Sequence, residues 1–143
     1  MREELILALA ADFPQLFGCD AKAGSSYLRG VACGDGWEPL IRRLCGQIEQ
    51  LISAVPEEEQ QIYKLIEIRE RHGGLEFYMN DATSDMRELI AIAVAESFKI
   101  CEFCGANGQL RQSVRRGSKT LCDGCRAKIV PLPMTARSQS VLS

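Results

Sequence analysis

The chain has 143 residues, of which 46% are hydrophobic and 25% are charged, the balance of a globular protein of one or two small domains. This composition excludes a disordered or low-complexity protein, and no apolar run approaches the roughly 20 residues that a membrane-spanning helix requires. The acidic start, Met1 to Glu4, is not typical of a signal peptide. We therefore expect a cytoplasmic protein that makes no membrane contact.

The net charge of −2 conceals two segments of opposite sign. Residues 1–98 contain 9 Lys and Arg against 17 Asp and Glu, which gives this segment a net charge of −8. Residues 99–128 contain 7 Lys and Arg against 2 Asp and Glu, a net charge of +5. We therefore predict an acidic body at 1–98, a basic module at 99–129 and a flexible tail at 130–143.

The first part of the chain predicts a short helix followed by a loop. An amphipathic helix is expected over residues 2–12, and it ends or kinks near Phe13 because Pro14 disfavours helical geometry in the residue before it. Residues 18–34 contain glycine and serine without a clear period, so we expect a loop there.

The strongest periodic signal predicts a core helix over about 36–54. Asp35 and Glu38 have the spacing of a capping arrangement, so we interpret Asp35 as the cap of this helix. The helix carries one apolar stripe. Its members are Trp37, Leu40, Ile41, Leu44, Ile48, Leu51, Ile52 and Val55.

Residues 57–80 are compatible with two structures. Three glutamates at the start and basic residues near the end suit a helix. Two consecutive glycines between apolar-rich runs suit a β-hairpin that turns at Gly73 and Gly74, and we prefer this interpretation. Residues 75–79 form a strand in either case, whereas the structure of 57–72 stays open.

The hairpin interpretation predicts a pairing register. With the two glycines at the turn, Arg71 faces Glu76 and Arg69 faces Tyr78. This register yields one pair of opposite charges and one cation–aromatic pair, both of which stabilise neighbouring strands.

A second core helix is expected over 83–99, capped from within residues 81–84. It leads directly to the first cysteine pair and should support it rigidly. The predicted fold is therefore α+β, with a small helical core, a β-hairpin and a C-terminal zinc-ribbon-like module. The apolar stripe of the helix consists of Met86, Leu89, Ile90, Ala93, Val94 and Phe98.

Two Cys-x-x-Cys pairs predict one structural zinc ion. Two residues between paired cysteines let both sulfurs reach one ion, and four thiolates leave no open position for a reacting water. Two redox-active pairs, or simply buried thiols, are the alternatives. The predicted ligands are Cys101, Cys104, Cys122 and Cys125. Three cysteines remain, and three cannot all pair with one another within the chain. We assign no role to Cys19, Cys33 and Cys45.

The segment between the cysteine pairs is basic through Arg111, Arg115, Arg116 and Lys119. These side chains are candidates for contact with nucleic-acid phosphates, with the acidic body or with an acidic partner protein. Phe103 is the only aromatic residue near the module, so a platform for stacking bases is missing and we favour a protein partner.

The sequence offers no combination of residues that indicates catalysis. His72 is the single histidine and has no matched nucleophile, and the glycines around Asp35 lack the spacing of a phosphate-binding loop. We therefore expect neither an enzyme nor a small-molecule substrate.

Several motifs together carry a resemblance. The chain reads CGDGW at 33–37, GGLEFY at 73–78, AES at 95–97 ahead of the first cysteine pair, and TLCD at 120–123. In this combination it resembles a widespread group of small, uncharacterised proteins encoded by tailed phages and prophages, over roughly residues 27–126. Members of that group usually carry Arg where this chain has Glu76, and many end the metal set with His where it has Cys125. The resemblance implies a metal-binding accessory protein and no established activity.

The cysteine module alone is also similar to that of the DksA and TraR transcription regulators, which share its cysteine spacing. Those proteins need a long coiled coil with an acidic tip, and the helix over about 36–54 is too short for that role.

The predicted function is that of a phage-encoded, zinc-binding accessory protein in the host cytoplasm. We expect it to bind and modulate a host protein complex, for example a defence or transcription system. The alternative is a nucleic-acid-binding regulator that uses the basic module.

Overall fold

The computed structural model of the chain describes residues 1–18, 30–113 and 117–129. Within them the fold is α+β, as predicted, with a helical core, a small sheet and a C-terminal cysteine-containing module. The elements in chain order are α1 (Glu3–Asp12), α2 (Pro14–Phe17), β1 (Val31–Ala32), α3 (Glu38–Ala54), β2 (Leu65–Arg71), β3 (Gly74–Met79), α4 (Ser84–Ser97), β4 (Gln109–Ser113), β5 (Gly117–Leu121) and α5 (Asp123–Ile129). Two 3₁₀ helices, Asp35–Trp37 and Glu57–Ile62, flank α3. None of the helices in the described ranges combines the length and the apolar character that crossing a bilayer requires.

Helix α3 forms the centre of the core and packs against α2 and α4. Its predicted stripe is confirmed, with Leu51 and Val55 only partly buried at its end. Trp37, just ahead of the helix, is fully buried. The fully or nearly fully buried members within the helix are Leu40, Ile41, Leu44, Ile48 and Ile52.

The prediction that Asp35 caps this helix is wrong. The helix begins at Glu38 after a 3₁₀ turn and has no side-chain cap, and a proline in its first turn reduces the number of N–H groups that need a partner. The Asp35 carboxylate instead accepts hydrogen bonds from the backbone N–H of Arg2 at 2.8 Å and from its Nε at 2.7 Å. Although desolvation works against it, the contacts with Arg2 lower the pKa of Asp35.

Residues 57–72 divide between the two predicted structures. A 3₁₀ helix covers Glu57–Ile62, and β2 then pairs with β3 as the antiparallel hairpin that we preferred. Strand β1, which the sequence did not reveal within the predicted loop, adds to β2 in parallel to give the order β1-β2-β3. At two residues it is too short to display a period. Residues 19–29 of that predicted loop lie outside the described residues.

The predicted hairpin register is wrong by one residue at the turn. Arg71 pairs with Gly74, so the turn consists of His72 and Gly73. Both have positive φ, 56° and 89°, as a primed two-residue turn requires. Gly74 belongs to the strand because it lies against Phe98, where an added Cβ would meet the ring at 2.3 Å.

The correct register still pairs opposite charges. Arg69 faces Glu76 and donates to its carboxylate from Nε at 2.9 Å. The Arg69 guanidinium also lies 5.9 Å from the centroid of the Tyr78 ring, so the expected cation–aromatic contact occurs diagonally.

Helix α4 connects the hairpin to the cysteine module. It begins with the predicted type of cap, since the Thr83 hydroxyl accepts from the Met86 N–H at 3.2 Å. At its end the buried Ser97 hydroxyl donates to the Val94 carbonyl and accepts from the Leu75 N–H at 2.9 Å. The last turn of the helix is thereby fixed to β3. The division of the chain after residue 98 stays a prediction, and the predicted tail at 130–143 lies outside the described residues.

Candidate metal centre and its contacts with the body

The structure brings the four predicted ligand cysteines together. The first pair follows α4 in the loop 101–106, and the second pair lies where β5 meets α5. Strands β4 and β5 form an antiparallel ribbon between the two pairs, which folds the second pair back onto the first. As a result all four sulfurs lie within 4.8 Å of one another. This set is Cys101, Cys104, Cys122 and Cys125.

Contacts around the sulfurs lower the pKa of Cys101 and Cys122, whereas neighbouring sulfurs raise the pKa of Cys104, and burial raises that of Cys125 to about 12. Burial raises the pKa of Cys101, but backbone hydrogen bonds from Cys122, Cys104 and Phe103 outweigh it and lower the pKa to about 6. The backbone N–H of Cys125 donates to Cys122 Sγ at 3.3 Å. Since thiolates are the form that binds metal, these contacts favour the metal-binding form of Cys101 and Cys122.

A tight turn shapes the first half of the site. The Gly105 N–H donates to the Cys101 carbonyl at 3.0 Å, and Gly105 has a φ of 84°, which glycine adopts without strain. The Cys101 N–H bonds the Ala106 carbonyl at 2.7 Å, so the loop closes on itself.

The donor set fits a four-coordinate metal ion. A tetrahedral ion with sulfurs at about 2.3 Å requires sulfur–sulfur separations of roughly 3.8 Å. Cys104 and Cys122 approach to 3.5 Å, and the whole set stays within 4.8 Å. The four cysteines therefore can hold a metal ion, and four protein ligands would leave it no open position.

The CGDGW segment forms the first contact between this module and the body. The Gly36 N–H donates to the Glu102 carbonyl at 2.6 Å, and the buried Trp37 donates from Nε1 to the Ile100 carbonyl at 2.9 Å. A Cβ at Gly36 would lie 2.1 Å from the Cys101 carbonyl oxygen. The loop that carries the first cysteine pair thus packs directly on the backbone of Gly36, which leaves no room for a side chain at that position.

Glu102 makes the second contact, and sequence reasoning missed it. The residue is only 2% exposed although it carries a carboxylate. Its Oε2 accepts from the Gly34 N–H at 2.9 Å, and its Oε1 lies 3.2 Å from Lys119 Nζ. Lys119 also bonds Glu70 at 3.0 Å, so it bridges the module to the hairpin. The sequence did contain one signal for this contact, namely an acidic residue between the first two cysteines of an otherwise basic module.

This bridge has a defined charge state. Burial alone would lower the pKa of Lys119, but the hydrogen bond to Glu70 and the charge of Glu102 outweigh it and raise the pKa above its ordinary value. Lys119 is therefore charged at neutral pH and is shared by two carboxylates.

The hairpin turn makes the third contact. The buried Thr120 hydroxyl donates to the Gly73 carbonyl at 2.6 Å. A Cβ at Gly73 would lie 2.3 Å from Leu110 Cδ1, so β4 also packs against this turn. The CGDGW and GGLEFY segments, which are far apart in sequence, therefore meet at the same cysteine module.

Of the four predicted basic residues, two make internal contacts. Arg111 donates from Nε to the Leu121 carbonyl at 3.0 Å and pairs with Asp123 at 2.6 Å. Lys119 is engaged in the bridge to the body, which was one of its predicted alternatives. Arg115 and Arg116 lie outside the described residues.

The other singled-out residues are not members of the cysteine cluster, although Cys33 directly precedes Gly34, which contacts Glu102. Cys33 and Cys45 are buried free thiols, and burial raises the pKa of both, that of Cys33 to about 12. Cys19 lies outside the described residues. His72 is exposed at the turn.

No protein-family model, curated protein or solved structure matches this chain.

Proposed function

We propose that this chain is a zinc-binding accessory protein that acts by binding a protein partner. The observation that carries the proposal is the cluster of four cysteine sulfurs within 4.8 Å. Zinc is the ion that best suits four thiolates in tetrahedral arrangement, and a closed site of this type stabilises structure rather than reacting. The ion would hold the 101–106 loop in the shape that contacts the body. The protein is therefore not an enzyme in this proposal.

The charge around the module supports a protein partner over nucleic acid. Lys119 bonds two carboxylates and Arg111 pairs with Asp123, so both cations already have acidic partners within the chain, which weakens their attraction for a phosphate. Phe103 and Leu110 on the module are 41% and 47% exposed, and such apolar side chains are typical of protein contacts.

The identity of the partner rests on the resemblance to phage and prophage proteins. Accessory proteins of that kind act in the cytoplasm of the host, so the proposed partner is a host complex such as a defence or transcription system. A nucleic-acid-binding regulator remains the second candidate because Arg115 and Arg116 add two cations to the module.

Metal analysis tests the first part of the proposal. Full-length protein prepared with zinc should contain one zinc ion per chain, and the Cys101→Ser, Cys122→Ser double variant should contain none. The Cys45→Ala variant is the matched control, because Cys45 is a buried thiol within α3, outside the cluster, and its loss should leave the zinc content unchanged. Absence of zinc from the parent protein, or its retention in the double variant, contradicts the proposal.

Capture from host lysate tests the second part. A tagged protein should retain the same host protein with and without nuclease treatment. The Arg115→Ala, Arg116→Ala variant should slow association with that protein and leave binding to random nucleic acid near background. Micromolar or tighter binding to random duplex at physiological salt, lost in the double variant, favours the nucleic-acid alternative.

A further inference from the structure

The four cysteines of the cluster differ in their access to solvent. Cys101 is 0% exposed and Cys125 is 9% exposed. Cys104 is exposed and Cys122 is half-buried, and these two sulfurs lie 3.5 Å apart. The two more exposed cysteines come from different Cys-x-x-Cys pairs, so a small oxidant in solution is expected to meet them before the other two.

We propose that Cys104 and Cys122 form a peroxide-sensitive pair that closes to a disulfide and thereby opens the metal site. The proposal rests on the zinc site proposed above. It differs from the view that each Cys-x-x-Cys unit acts as its own redox pair, because the disulfide joins the two units.

The chemistry needs only hydrogen peroxide as oxidant. The Cys104 thiolate attacks one peroxide oxygen, the O–O bond breaks, and the products are a sulfenic acid on Cys104 and hydroxide. The Cys122 thiolate then attacks the Cys104 sulfur and displaces a second hydroxide as the S–S bond forms. Two electrons pass from the two sulfurs to the peroxide, and the two hydroxides released are neutralised by two protons from the buffer.

The geometry favours this bond. A disulfide requires a sulfur–sulfur distance near 2.05 Å, so the two sulfurs need to approach by only about 1.5 Å. The β4–β5 ribbon already holds the two loops side by side. Cys101 is fully buried, so peroxide does not oxidise it first. It can compete with Cys122 only as the second thiolate, and the Cys122 sulfur already lies 3.5 Å from that of Cys104.

Closure of the disulfide would act on the contact between module and body. Two of the four ligand sulfurs are lost, and Cys101 and Cys125 alone cannot complete a tetrahedral site. The loop that they shape also supplies the Glu102 carbonyl to Gly36 and the Glu102 carboxylate to Gly34. Oxidation should therefore loosen the module and, with it, any surface that the module and body form jointly.

Disulfide mapping on the zinc-loaded, full-length chain tests the proposal. The metal content is measured first, one molar equivalent of hydrogen peroxide is then added, free thiols are alkylated, and peptides are analysed without reduction. We expect Cys104–Cys122 as the first disulfide, with release of about one zinc per oxidised chain to a chromogenic chelator. Dithiothreitol and added zinc should reverse both changes. The Cys45→Ala variant should respond to the same extent, because Cys45 lies within α3, outside the cluster.

The outcomes separate the two proposals. A first disulfide within either Cys-x-x-Cys pair, oxidation of Cys33 or Cys45 ahead of the cluster, or zinc that stays bound after one equivalent overturns the peroxide-sensitive pair. If the protein contains no zinc at the outset, the proposed function fails, and the position of the first disulfide still decides this inference.

Discussion

Gly36 lies where the backbone of the body touches the backbone of the loop that carries Cys101 and Cys104. In the Gly36→Ala variant the new methyl group would meet the Cys101 carbonyl at 2.1 Å and the Glu102 carbonyl at 2.6 Å. A backbone carbonyl cannot rotate away as a side chain can, so the loop 101–106 has to move. The hydrogen bond from the Gly36 N–H to the Glu102 carbonyl is then lost. We expect a loss of about 3 kcal/mol in the free energy of unfolding, measured by urea denaturation.

Gly46→Ala provides the matched control for this substitution. Gly46 lies inside α3, and its added Cβ would have Phe13 Cε1 as nearest neighbour at an ordinary 3.7 Å. Alanine is also the better helix former, so we expect a gain of about 0.5–1 kcal/mol. Equal stability of the two variants would show that the module does not rest on Gly36.

The Glu102 carboxylate makes two of the polar contacts at the junction between module and body, with the Gly34 N–H and with Lys119. The Glu102→Ala variant leaves the Gly34 N–H without its partner and leaves Lys119 with Glu70 alone. We expect a loss of about 2 kcal/mol, less than for a fully buried ion pair because Lys119 is 29% exposed at its side chain. Glu102→Gln keeps an acceptor for Gly34 and should lose about half as much. Exposed Glu57→Ala is the control, and a Glu102→Ala variant as stable as this control contradicts the assigned role.

Helix α3 is the element on which the core depends. Leu44 is 1% exposed in the middle of its stripe, so Leu44→Ala removes buried methyl groups and should cost about 2–5 kcal/mol. Ile92→Ala on α4 is the control, since Ile92 is 51% exposed and should change stability by less than about 0.5 kcal/mol. An unchanged midpoint of denaturation for Leu44→Ala would mean that the stripe faces solvent.

The elements that could be predicted from the sequence are those whose pattern involves only neighbouring residues. The 3.6-residue period of α3, the Thr83 cap within residues 81–84 and the spacing of the cysteine pairs all act over a few neighbouring residues. The hairpin register depended on a distant contact, because Phe98 packs on Gly74 and forces that glycine into the strand. Strand β1 likewise forms only because β2 lies beside it. Local patterns carry no information about such partners.

The same distinction applies at the candidate site. The spacing of the cysteines predicted which residues come together, because two residues between paired cysteines allow both sulfurs of a pair to face the same point. The docking of the module did not follow from the sequence, because Glu102 and Lys119 acquire their roles only after β4 and β5 fold against the hairpin. A count of cations in the insert therefore overstated the charge that this part of the molecule presents, since Arg111 and Lys119 each pair with an acid.

At the scale of the whole molecule, metal binding and folding should be coupled. Trp37 is the only tryptophan of the chain, and it donates a hydrogen bond to the carbonyl of Ile100, next to the first cysteine. Its fluorescence should therefore report whether the module is in contact with the body. A metal present at a thousand times its Kd stabilises the native state by about 4 kcal/mol, which for a chain of this size corresponds to roughly 8–16 °C in Tm. Chelation should lower Tm by that amount and shift the Trp37 emission to longer wavelength before the helical signal in circular dichroism is lost, because the module unfolds first. The Cys101→Ser, Cys122→Ser variant should start from the low Tm and show no response to the chelator. A parent protein whose Tm and Trp37 emission both stay constant on chelation would mean that the body holds the module in place without a metal.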